Sequence, residues 1–232
     1  MSTATAALML TIGLLPAFGI TMVVIDQLSK KIPRLEPWVV DRAAIIYLAF
    51  LIAGVLMAQV AGMLPFAVLI PSQVWGFLTA VLLTPAAAIL PYFLELGLVS
   101  VRKQTTDPTL AAALFVRDAK ESLKALASRP SIWWVVAVGT AVTEEALFRG
   151  AVLHSMWQEH GIIPAILASS IIFGLHHVAF GAEAIISKIG AGLLWALLTI
   201  FAGSLIPALL AHICFQALVW RRLRRVRHAN II

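Results

Sequence analysis

Glu144 and Glu145 stand side by side, with Arg149 four residues beyond Glu145, inside the apolar stretch 131–153. An ionised side chain at bilayer depth costs roughly 2.5 kcal/mol or more, so charges in such a stretch mark a functional site. Glu145 and Arg149 share a helix face at this spacing and can pair. Glu144 points elsewhere and keeps its carboxylate for general-base work on water. Further along, Phe173 and His177 are four apart, as are His212 and Gln216, each pair within an apolar run. His176 faces away from His177 and reads as a structural histidine whose ring bonds a backbone carbonyl across helices. A glutamate, two histidines and an amide donor form a hydrolytic set. It supplies a base for water, a group to position that water, and donors for a developing oxyanion.

The elements that must position these groups are membrane helices. The chain of 232 residues is 61% hydrophobic and only 12% charged, against about 25% charged in soluble domains. Crossing the hydrocarbon takes about 20 apolar residues, and candidate spans fall at 5–25, 43–63, 73–98, 131–153, 162–180, 184–203 and 204–220. The expected fold is therefore all-α, a polytopic bundle of about seven transmembrane helices in one integral membrane domain, 1–232. Within it, 1–98 holds the N-terminal helices and 131–220 the catalytic ones. Pro85 and Pro91 predict a kink or break in the third span.

The net charge of +6 could suggest nucleic acid, but its distribution excludes that partner. Of 17 Lys and Arg, four lie in 30–42, six in 102–129 and five after residue 220. This is the positive-inside pattern, with basic segments facing the cytoplasm and anionic lipid. The outer connections 64–72 and 154–161 hold no Lys or Arg. Seven crossings then put the N-terminus outside and the C-terminus in the cytoplasm, in the plasma membrane of a prokaryote. The N-terminus lacks a basic n-region and reads as the first membrane helix. Segment 107–128 opens with Asp107-Pro108, a good helix start. It carries Ala111, Phe115, Val116, Ala119 and Leu123 on one face and Arg117, Lys120, Glu121 and Lys124 on the other. That pattern predicts a cytoplasmic amphipathic helix lying on the lipid bilayer. Cys214, the single cysteine, excludes an intrachain disulfide.

In order along the chain, Glu144-Glu145-Ala-Leu-Phe-Arg149, Phe173-Gly-Leu-His-His177 and His212-Ile-Cys-Phe-Gln216 resemble the EExxxR, FxxxH and HxxxN motifs of the CPBP intramembrane proteases. That group includes the CAAX prenyl endopeptidases and bacteriocin-immunity-type relatives. The resemblance covers about 131–220 and departs at Gln216, where the family has Asn or Asp. Glutamine keeps the amide donor and adds one methylene. The resemblance implies an endopeptidase that cleaves a membrane-anchored peptide or protein tail. Glu144 would activate water with the help of His177, and His212 and Gln216 would stabilise the oxyanion. Glu145, Arg149 and Phe173 would support them.

Glu144, His177 and His212 are also a possible zinc ligand set. With no HExxH present, a metal-free glutamate mechanism without a cofactor is the expectation. The other intramembrane protease classes fit poorly, because the GxSx serine and a pair of membrane aspartates are both absent. Two rival classes remain open: a proton-coupled transporter, disfavoured by the absence of an internal repeat, and a catalytically idle immunity or binding protein.

Overall fold

The computed structural model describes residues 1–32, 35–65, 69–102, 126 and 128–228. Its helices are α1 (Thr3–Lys31), α2 (Leu35–Val60), α3 (Val74–Arg102), α4 (Pro130–His160), α5 (Ile162–Leu175), α6 (Ala182–Ala202) and α7 (Ile206–His228). No strand occurs among the described residues. The protein is a helical membrane bundle. The amphipathic segment expected over 107–128 lies, apart from Leu126 and Ser128, outside the described residues.

Five stretches are long and apolar enough to cross a bilayer: Thr3–Ile25, Arg42–Val60, Val74–Leu98, Pro130–His160 and Ala182–Ala202. Two of the expected crossings differ. The span expected at 162–180 ends at Leu175, and the chain then turns through His176, His177 and a short 3-10 stretch, Val178–Phe180. With 14 residues, α5 reaches only about 21 Å at 1.5 Å per residue. In α7 the apolar run stops at Arg221, so only its first part is lipid-compatible. By contrast, α4 is longer than expected and runs for 31 residues.

The polarity of the bundle is inverted relative to a soluble protein. Val60, Trp75 and Leu82 are largely exposed on the outside, while Glu144, Glu145, Arg149, Ser169, Ser170, Ser187 and His212 are buried. Lipid accepts the apolar exterior, and the polar groups must find partners inside. At one end of the bundle, the start of α4 meets the end of α7 through Trp134 and Trp220, whose rings lie 5.7 Å apart. Tryptophans at that level suit the membrane–water boundary. At the other end, Glu159 of α4 accepts the backbone N–H of Ala4 at 2.9 Å and so ties α1 to α4.

Of the kink or break expected at Pro85 and Pro91, a break does not occur, and α3 continues through both prolines. Proline at 91 cannot donate to the carbonyl of Ala87 one turn earlier. The indole N–H of Trp195 on α6 takes that place, donating to Ala87 O at 3.0 Å. Between α5 and α6, small residues bring the backbones together, as is usual where dispersion alone drives helix association. A Cβ at Gly192 would meet Cα of Ser170 at 2.8 Å, and one at Gly174 would strike Ile189 and the Ile185 carbonyl. After α6, Gly203 turns the chain at φ 59° against Ser72, a left-handed conformation with no room for a side chain.

Gly192→Leu is expected to cost about 1–3 kcal/mol by forcing α5 and α6 apart. The thermal midpoint in detergent should fall by several degrees, and a wild-type midpoint would contradict this close crossing.

Candidate active site

Glu144 lies about 21 Å along α4 from Pro130 at 1.5 Å per residue, near the middle of the longest rod. Directly after Glu145, the helix widens into a π-helical stretch, Ala146–Leu153, before returning to α-helix at His154. Such widened turns occur often at functional sites. Ser169 of α5 donates to the Phe148 carbonyl within this stretch at 2.8 Å.

Arg149 uses its fork on two acceptors. Nη1 donates to Glu145 Oε1 at 3.3 Å and Nη2 to the Gly192 carbonyl at 3.4 Å. The guanidinium also stacks over Phe173, 4.6 Å from its centroid, with Trp195 at 5.5 Å. This arrangement suits arginine, whose planar group combines forked donation with aromatic stacking.

Glu145 Oε1 has a second donor, His212 Nδ1, at 2.9 Å. A carboxylate only accepts, so the proton on this neutral ring sits at Nδ1 and Nε2 presents a lone pair. Nε2 lies 3.5 Å from Glu144 Oε2 and 3.5 Å from Gln216 Nε2, whose amide N–H donates to it. The ring of His212 is stacked on Trp195 with centroids 4.4 Å apart. Glu144 has different supports on its two oxygens. Oε1 accepts the Tyr47 hydroxyl at 3.0 Å, while the buried Oε2 has no hydrogen-bond partner.

The structure thus brings Glu144, Glu145, Arg149, His212 and Gln216 into one cluster. His177 stands at its edge. Its Nδ1–H donates to the Phe173 carbonyl at 3.0 Å, and it makes no hydrogen bond to Glu144. Phe173 links the two histidines, with centroid distances of 5.0 Å to His177 and 5.9 Å to His212. The ring of His176 donates from Nε2 to the Thr11 carbonyl at 2.8 Å. Its Nδ1 lies 3.2 Å from the Tyr47 hydroxyl.

Sequence reasoning passes over Tyr47, Glu95 and Lys188. Lys188 lies 3.7 Å from Glu95 and 3.5 Å from the Phe215 centroid, close enough to interact electrostatically with Glu144. A signal for it existed: Arg149 and Lys188 are the two basic residues outside the three basic segments. For Tyr47, nothing in the sequence distinguishes it from an aromatic packing residue.

Among the described residues, no group of three or more His, Cys, Asp or Glu is gathered as metal ligands.

Two carboxylates, an arginine, a histidine and an amide are thus gathered in the interior of the bundle, walled by aromatic rings. Residues 127–218 match the family described as Type II CAAX prenyl endopeptidase Rce1-like. This segment is similar to that family of proteases, in agreement with the CPBP resemblance of the three motifs. No curated protein and no solved structure matches the chain.

Arg149→Ala leaves Glu145 in the interior without its cation, a change expected to cost about 3–5 kcal/mol. Lower yield and a reduced thermal midpoint should report it. Arg149→Lys keeps the charge but cannot fork, and should fall between. Native-like stability of Arg149→Ala would refute the pairing.

Proposed function

We propose that the protein is an intramembrane endopeptidase of the glutamate type, cutting a membrane-anchored peptide or protein tail with water activated by Glu144. The observation that carries this reading is the approach of Glu144 Oε2 to His212 Nε2 at 3.5 Å in the bundle interior; this oxygen, like Glu145 Oε2, has no hydrogen-bond donor. In the proposed reaction, a water O–H bond breaks and its proton passes to Glu144 Oε2. The water oxygen forms a bond to the scissile carbonyl carbon, and the carbonyl electron pair moves to its oxygen. His177, with its Nδ1 proton committed to Phe173, has Nε2 available to accept a hydrogen bond from that water and orient it.

The Gln216 amide is a donor for the oxyanion. The proton that Glu144 Oε2 takes from water passes to His212 Nε2, 3.5 Å away. That makes the ring a second donor, with Glu145 balancing the charge, and the proton returns to Glu144 before the intermediate collapses. As the intermediate collapses, the C–N bond breaks and the leaving amine takes the proton back from Glu144. The dry, aromatic surroundings strengthen each of these interactions relative to water. No step requires a metal or cofactor. Relatives named as CAAX prenyl endopeptidases make a prenylated tail the first substrate to try. The basic segments favour a C-terminus on the cytoplasmic face of a prokaryotic plasma membrane.

Glu144→Gln keeps the shape and removes the base. In proteoliposomes with prenylated and other lipid-anchored reporter peptides, it should lower kcat at least 100-fold without lowering the thermal midpoint. Turnover at the wild-type rate would rule out Glu144 as the base.

A further inference from the structure

The family match begins at residue 127, yet one oxygen of Glu144 is held from outside it. Tyr47 comes from α2, and its hydroxyl has a single proton and two neighbouring acceptors. One acceptor is Glu144 Oε1 at 3.0 Å. The other is His176 Nδ1 at 3.2 Å. The tautomer of His176 is fixed by chemistry, because the Thr11 carbonyl at Nε2, 2.8 Å away, can only accept. The neutral ring must therefore carry its proton on Nε2, leaving Nδ1 as a lone pair. Thr11 belongs to α1, so the chain runs α1 carbonyl, α5 imidazole, α2 hydroxyl, α4 carboxylate. The remaining charged or titratable groups facing Glu144 are His212 on α7, Glu145 and Arg149 on α4, and Lys188 on α6.

We propose that Tyr47 and His176 form a two-position hydroxyl switch that caps Glu144 Oε1 while it is ionised and keeps the Tyr47 proton hydrogen-bonded in both charge states of Glu144. The proposal deepens the protease reading and rests on Glu144 being the base. While Glu144 is ionised, its Oε1 is the stronger acceptor, and the Tyr47 proton points to it. That capping leaves Oε2, on the His212 side, as the oxygen that takes the proton from water. Once Glu144 is neutral, the imidazole lone pair is the stronger acceptor, and the Tyr47 hydroxyl rotates about its C–O bond toward His176. No covalent bond breaks in this exchange. A buried polar group left unmatched is expensive, so a donor that can be redirected lowers the cost of charging and neutralising Glu144 each cycle. Tyr47 and His176 are positioning residues, acting through Glu144.

Tyr47→Phe removes the switch with little change of volume, and kcat should fall about 10- to 100-fold with KM unchanged. His176→Leu removes the second acceptor and should also lower kcat. His176→Gln, which retains an acceptor and a donor, should recover part of the loss. The double variant Tyr47→Phe/His176→Leu should be no slower than Tyr47→Phe alone, because His176 acts only through Tyr47. Additive losses, or a Tyr47→Phe kcat within twofold of wild type, would overturn the proposal.

A second measurement needs no substrate. Infrared difference spectra of wild type against Glu144→Gln isolate the carboxyl stretch of protonated Glu144. That band should shift in His176→Leu, although His176 does not touch Glu144, and an unmoved band would overturn the switch. A wild-type enzyme that cleaves no reporter counts against the protease reading, and the infrared arm then decides the switch by itself.

Discussion

One carboxylate oxygen organises this bundle. Glu145 Oε1 receives both Arg149 from its own helix, at 3.3 Å, and His212 from α7, at 2.9 Å. A charge in so apolar a place is tolerable only when it is paired and hydrogen-bonded. The interaction that neutralises Glu145 also fixes which nitrogen of His212 faces Glu144. The structural salt bridge and the proposed catalytic groups are therefore one network, and Arg149 extends it to the backbone of α6 through Gly192. Glu144 and Glu145 each keep one oxygen, Oε2, that the fold does not satisfy.

The aromatic wall makes the arrangement rigid. Trp195 stacks on His212 and reaches back to the Ala87 carbonyl that Pro91 leaves without its helical donor. A proline that would weaken an isolated helix thus becomes the anchor of the ring beside His212. Phe173 performs the corresponding task on the other side, touching His177, His212 and the Arg149 guanidinium. These contacts exclude water from the charges and so raise the strength of each remaining interaction.

Much of this was legible because membrane burial makes charge rare. Glu144, Glu145 and Arg149 stood out against an apolar background, and the four-residue spacings of Glu145 with Arg149 and His212 with Gln216 report shared helix faces directly. The helical bundle followed from composition for the same reason. The π-helical stretch left no trace in the pattern, since Ala146–Leu153 is buried over nearly its whole surface and has no polar side to betray a change of period. The shortness of α5 was hidden because Val178–Phe180 continues the apolar run after the helix has ended. Tyr47 was invisible for a different reason. Its hydroxyl matters only through contacts made 97 and 129 residues away in sequence, which spacing along one helix cannot encode.

The most direct test of the central claim is the protonation pattern of the His212 ring, read by solid-state NMR on protein labelled with nitrogen-15 histidine in lipid. The His212 signals are those lost in His212→Gln. They should show a proton on Nδ1 in a strong hydrogen bond and an unprotonated Nε2, and Glu145→Gln should change them. A ring protonated at Nε2 alone, with shifts indifferent to Glu145→Gln, would contradict the account.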